Sequence, residues 1–144
     1  TLHNLADASD QLPAAITEAR ATLASVKRTS FYHGMLKLFE RYDVLALPSA
    51  QVWPFDKSIR WPKEIKTANG SVQMDTYHRW MEVVIGPTLA GVPAASLPSG
   101  FTANGLPLGL QVIAPPRSDF ALLQLAAAWH EAFAPAHSTS PLLR

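Results

Sequence analysis

Apolar residues first recur at helical spacing. Leu12, Ile16, Ala19, Leu23 and Val26 return every three or four positions, with Glu18, Lys27 and Arg28 off that line. This is the stripe of a helix that buries one face. The phase then shifts to Phe31, Met35, Leu38, Phe39 and Tyr42. The spacing predicts one long helix over about residues 11–41, or two joined near Thr29–Ser30. Ser9 or Asp10 would cap its start, and Pro13 is tolerable there only within the first turn. Val44–Leu47 is short, wholly apolar and ended by Pro48, the pattern of a strand covered on both faces.

Residues 49–73 have no sustained period. They hold Pro54, Pro62, two tryptophans and an Asn69-Gly70 turn signal. Long connections of this kind are usually functional loops or covers. A second helix is expected over Asp75–Ile85, because Tyr77, Met81, Val84 and Ile85 share a face, and Gly86-Pro87 would end or kink it. Ala94–Leu97 and Leu108–Ala114 read as buried strands, with hairpin-type turn residues at Ser99-Gly100 and Asn104-Gly105. A final helix is expected over residues 119–134, started by Ser118 and Asp119, with Phe120, Leu123, Ala127 and Ala134 along one side. Strands alternating with helices point to an α/β layer. No internal repeat is visible.

Composition narrows the partners. The chain has 144 residues, enough for one unit, and 48% are hydrophobic, which marks a folding chain. A formal charge of +1, with no basic run, supplies no electrostatic reason to expect nucleic acid or an anionic membrane. The absence of cysteine removes disulfide and thiolate chemistry and is compatible with a cytoplasmic location. The strongly apolar runs are a few residues long, far below the roughly 20 that span a bilayer. The chain opens on Thr1, without Met or a secretory pattern, so a piece cut from something longer is the expectation.

The chemical motifs are mostly negative. Gly91, Gly100, Gly105 and Gly109 punctuate strands and do not form a phosphate-binding G-x-G-x-x-G. Among His3, His33, His78, His130 and His137 there is no H-E-x-x-H, since Ala, Phe and Ala follow His130-Glu131. No metal or other cofactor is therefore expected, and His130 suits the C-terminal end of its helix dipole. Ser96 and Ser99 lie near strand ends without G-x-S-x-G, S-x-x-K or an obvious base nearby. Acidic residues are scattered singly. Trp53, Trp61 and Trp80 with Tyr77 form the one unusual concentration, readable as a core cover or as the wall of a substrate pocket.

The order of pieces resembles a known family. "FERYDVLALPSAQVWP", a long loop, "TLAGVPAASLPSGF" and "NGLPLGLQVIAPPRSDFALLQLAAAWHEA" are similar to the C-terminal third of the amidase signature enzymes over residues 14–134. The residues that carry the likeness are Tyr42, Asp43 and Pro48; Leu89, Gly91, Pro93 and Ala94; Pro98 and Gly100; and Gly105, Leu106, Pro107, Gly109 and Gln111. Thr88 stands where the family usually has Asn. "MDTYHRWMEVV" looks more like the stand-alone amidases than the A subunit of tRNA-dependent amidotransferases.

The resemblance implies an α/β fold: a partial mixed sheet with flanking helices, the C-terminal part of the amidase signature fold, as a single unit over residues 1–144. It implies hydrolysis of a carboxylic amide C–N bond by a Ser–cis-Ser–Lys triad, with backbone amides holding the oxyanion. This chain has no Ser-Ser and no Gly-Gly pair, and Lys57 and Lys63 lie in a Pro-bounded loop. The triad is therefore expected upstream, and no catalytic residue is carried over. The resemblance suggests pocket wall at Ser49, Gln51, Trp53, Tyr77, Trp80 and Met81, with Thr88 a secondary candidate. A small-molecule amide is the implied substrate. The alternatives are a stand-alone assembly module, whose open sheet edges would favour a homodimer or aggregation, and part of an amidotransferase A subunit.

Overall fold

The computed structural model describes residues 2–133, with side chains from Ile16 onward; Ala134 and His137 lie outside the described residues. Helix α1, Leu2–Phe39, is unbroken, so Ser9 and Asp10 are inside it and not at its start. The phase shift near Thr29–Ser30 does not interrupt the backbone, and the Thr29 hydroxyl donates back to the Ser25 carbonyl at 3.0 Å. The shift marks a change of neighbours. Ile16, Leu23 and Val26 are exposed, whereas Met35 is buried and Tyr32 and Phe39 pack beside it.

Five strands follow in two sheets. They are β1 (Leu45–Pro48), β2 (Glu64–Thr67), β3 (Gly70–Gln73), β4 (Ala94–Phe101) and β5 (Pro107–Ile113). The order β1-β5-β4 makes β5 the centre of a three-stranded sheet, and β2-β3 is a separate hairpin. All three pairings are antiparallel, with Leu45 opposite Ile113 and Ala94 opposite the same residue on the other side. Helices α2 (Glu82–Ala90) and α3 (Asp119–Phe133) complete the layers. The α/β class with flanking helices is as expected.

Alternation along β5 builds two cores. Ile113 faces α1 and α2 with Met35, Ala90 and Val92. Val112 faces α3 with Leu97, Ala114 and Leu122. Because successive side chains point to opposite sides, one strand anchors both helical layers. The near-continuous apolar run at its end is thereby explained. The shorter β1 differs from expectation: it is an edge strand with Ala46 and Leu47 exposed, the position in which Pro48 costs no ladder bond.

Other expectations are corrected. Residues 77–81 form a single 3-10 segment and α2 runs on through Gly86-Pro87 to Ala90. Pro87 cannot donate to the Val83 carbonyl, but the buried side chain of Gln111 does so instead, with Nε2 at 3.1 Å. The helix stops at Gly91, whose φ of 67° is the left-handed region. Val92 N–H bonds the Pro87 carbonyl at 3.2 Å and Gly91 N–H the Thr88 carbonyl at 3.3 Å, the paired closure of a Schellman motif. Arg28 Nε also caps the Leu89 carbonyl at 2.8 Å.

Strand β4 passes through Ser99-Gly100, which is a bulge between Pro98 and Phe101 and not a turn. Gly100, with φ 100°, allows it. The turn lies at 102–106, where Thr102 N–H bonds the Leu106 carbonyl at 2.8 Å and the Thr102 hydroxyl accepts from Leu106 N–H at 3.0 Å. In α3 the buried side is Leu122, with Ala126 and Trp129, while Phe120 and Leu123 are exposed. That helix is apolar on nearly all sides, so periodicity alone could not select the side that meets the sheet. The hairpin β2-β3 carries too little pattern to be expected; Glu64–Thr67 and Gly70–Gln73 contain one large apolar residue each.

Candidate functional site

Where β1 ends, Ser49 N–H donates to the Gly109 carbonyl at 3.0 Å. This bond pins the start of the 49–73 loop to β5. A Cβ at Gly109 would run into the Ser49 hydroxyl and stand 3.2 Å from that of Ser96, so the strand and the start of the loop approach closely here and a larger residue would displace the Ser49 hydroxyl. From this floor the loop turns along the sheet edge, and a cleft of about 620 Å³ opens between them. Its walls are Ala46–Phe55 on one side, Pro107–Leu110 on the other, with Trp80 and Ser99.

Four of the expected wall residues, Ser49, Gln51, Trp53 and Trp80, line this cleft. Tyr77 and Met81 do not. Tyr77 backs the wall: its ring meets that of Trp80 edge-on at 6.0 Å and that of Trp61 at 6.3 Å. Met81 is half-buried at the start of α2. Thr88 lies on α2 with its hydroxyl turned to its own helix, 3.5 Å from the Val84 carbonyl. Phe55 and Gly109 are wall residues outside the set expected from the sequence. Phe55 stands edge-on to Trp80 at 5.6 Å and 88°, and the signal for it is its place two residues after Trp53.

The amide of Gln51 ties the loop to α2. Its Nε2 donates to the Arg79 carbonyl at 2.8 Å, and its Oε1 accepts from Val83 N–H at 2.9 Å. That N–H is one of the first donors of α2 and has no partner within its helix. Val83 is therefore held by two glutamines, Gln51 at its N–H and Gln111 at its carbonyl. Gln111 is visible in the sequence as one amide in an apolar strand, but its partner is not.

The aromatic group resolves into a ladder, Phe55–Trp80–Tyr77–Trp61, each step edge-to-face. Lys63 Nζ sits 3.3 Å from the Trp61 ring centroid. Trp53 is 72% exposed, so it is a rim and not a core cover. Trp80 Nε1 is buried without a hydrogen-bond partner among the described residues.

Charge chemistry is sparse. Hydrogen bonds from Ser58, its side chain first and then its backbone N–H, hold the Asp56 carboxyl below its ordinary range. It is ionised at neutral pH and has no proton to give. Ser99 donates to the Leu97 carbonyl at 3.3 Å. Among the described residues no Lys, Asp or Glu hydrogen-bonds Ser49, Ser96 or Ser99. Nor do three or more His, Asp or Glu gather there to hold a metal, and no helix among them is long and apolar enough to cross a membrane. The cleft has the size and the ring-lined wall to bind and orient a small molecule.

The chain is similar to known proteins in sequence and in fold. A family model described as Amidase matches residues 3–123. The A subunit of the glutamyl-tRNA(Gln) amidotransferase of Thermodesulfovibrio yellowstonii is 34% identical over 132 residues, 92% of this chain and 25% of that protein. Fatty acid amide hydrolase of Medicago truncatula is 32% identical over 112 residues, 78% of this chain and 18% of that protein. Among solved structures, a bacterial aryl acylamidase belonging to the amidase signature enzymes superposes with a TM-score of 0.64 at 26% identity, covering 76% of this chain and 22% of that one. The chain thus spans a quarter or less of the length of these relatives.

Proposed function

The chain belongs to the amidase signature family, and from that premise we propose that it is the C-terminal part of a cytoplasmic amidase hydrolysing a carboxylic amide C–N bond. The three-stranded sheet is scaffold. Ser49, Gln51, Trp53 and Trp80 shape the substrate pocket, with Tyr77 and Met81 behind them. The serine nucleophile, its serine partner and the lysine base come from upstream residues, so this chain alone hydrolyses nothing. The observation that carries the reading is the cleft itself: about 620 Å³, walled by rings and strand residues, in the range of small-molecule sites. The exposed Phe120 and Leu123 support a unit that packs against more chain.

The test is the size of the native product, probed in source-cell extract with an antibody against residues 49–85. A band several-fold above 15.7 kDa is expected. A band at 15.7 kDa would overturn the reading and favour a stand-alone module that pairs through its open sheet edges. A second reading, part of an amidotransferase A subunit, is favoured by the 34% identity to one such protein. It requires partner chains, so co-purification of the native product with other subunits separates it from the first.

A further inference from the structure

We propose that Gln51 is a positioning residue: its amide caps α2 from the loop and thereby fixes the ring of Trp80 in the cleft wall. The inference rests on the pocket reading above, which makes Trp80 a wall of the substrate site. Helix α2 takes Met81 as its cap residue, and the Met81 side chain makes no capping bond. With φ −114° and ψ 20°, Met81 also departs from helical geometry. The 3-10 segment 77–81 and α2 therefore meet at a joint, with Trp80 beside it. Gln51 spans that joint. Its Oε1 accepts the Val83 N–H, the second of α2, which a cap side chain ordinarily takes. Its Nε2 donates to the Arg79 carbonyl on the other side of the joint.

The segments 51–55 and 79–83 are thus attached at two places. The Gln51 amide grips the backbone on both sides of Trp80, and Phe55 meets the Trp80 ring edge-on at 5.6 Å. A single attachment would let the segments turn about it; the pair fixes the face that the ring presents to the cleft. Tyr77 adds a further edge contact to the same ring at 6.0 Å. Each end of the Gln51 amide already has a backbone partner. Its effect on a ligand therefore passes through Trp80 and not through a bond of its own.

The test uses the intact native protein that contains this chain, labelled with fluorotryptophan and read by fluorine NMR. Trp80→Phe identifies the Trp80 resonance. Trp129, whose Nε1 donates to the Pro98 carbonyl at 2.9 Å, lies on α3 and is the control for an intact fold. Gln51→Met keeps the length of the side chain without its amide. It is expected to move or broaden the Trp80 resonance and to leave that of Trp129 in place. Gln51→Glu keeps an acceptor for the Val83 N–H at a helix N-terminus and is expected to move Trp80 less. Acetanilide and benzamide are the probes of turnover. In Gln51→Met, KM is expected to rise at least about threefold with kcat changed less, the mark of a displaced wall beside an intact nucleophile. An unmoved Trp80 resonance overturns the proposal, and so does a fall in kcat at constant KM. Equal movement of Trp80 and Trp129 would make the role merely structural and overturn it as well. A moved Trp80 in a parent that hydrolyses neither probe would uphold the positioning and count against the hydrolytic reading. An unmoved Trp80 in an active parent would sink the positioning alone.

Discussion

Strand β5 and the segment 49–81 meet along the cleft but are held by different physics. In β5, Gln111, Val112 and Ile113 are buried and touch both helical layers. In residues 49–81, Met74 alone is buried; the segment depends on ring edges, the Gln51 amide and its short hairpin. One region is rigid because apolar area is removed from water on both faces. The other is shaped by a few directional contacts at the surface. Changes to β5 should therefore register as lost stability, and changes to the wall as altered binding at nearly constant stability.

The largest expected effect is Ile113→Ala, which empties the most buried large side chain of the core and should cost about 2–5 kcal/mol in denaturant unfolding. A loss below about 1 kcal/mol would mean that β5 is no more an anchor than the loop is. Next is Gln111→Leu, which leaves the Val83 carbonyl without a donor and should cost about 1–3 kcal/mol. Pro87→Ala restores an N–H to that carbonyl, so the double variant should recover part of the loss. Purely additive losses would disprove the carbonyl account. Gln51→Ala removes two exposed hydrogen bonds and should cost about 1 kcal/mol or less. Its larger effect is expected on the affinity of the cleft for an amide ligand in the intact native protein, through the freed position of Trp80. A change in stability with no change in affinity would erase the distinction between the two regions.

The elements with strict local patterns are legible in the sequence. Val44–Leu47 marks β1 to within one residue, Leu108–Ala114 marks β5, and Asn104-Gly105 marks its turn. The helix before Gly91 is visible, but Gly86-Pro87 reads as its end. A proline stops a helix only where nothing else satisfies the freed carbonyl, and here the donor to Val83 comes from Gln111, 28 positions further along. The choice of face in α3 is likewise invisible, since Phe120 and Leu122 are equally apolar as letters. Ser99-Gly100 reads as a turn because a bulge uses the same residues.

For the site, Ser49, Gln51, Trp53 and Trp80 come from the resemblance, and the structure brings them to one cleft. As wall residues Phe55 and Gly109 are not among those it suggests: Phe55 gains its place from its ring contact with Trp80, and Gly109 from the approach of Ser49 to β5.

What the sequence determined by itself is the set of main elements, their order, the family and the absence of a Ser-Ser pair. These depend on local spacing and on residue identity, which the chain states directly. What the tertiary structure decided is which face each helix buries, how Pro87 is accommodated, and which side chains share a wall. Those outcomes depend on contacts between residues distant in sequence. Alternation along a single central strand assigns them: Gln111 and Ile113 to one layer, Leu110 and Val112 to the other.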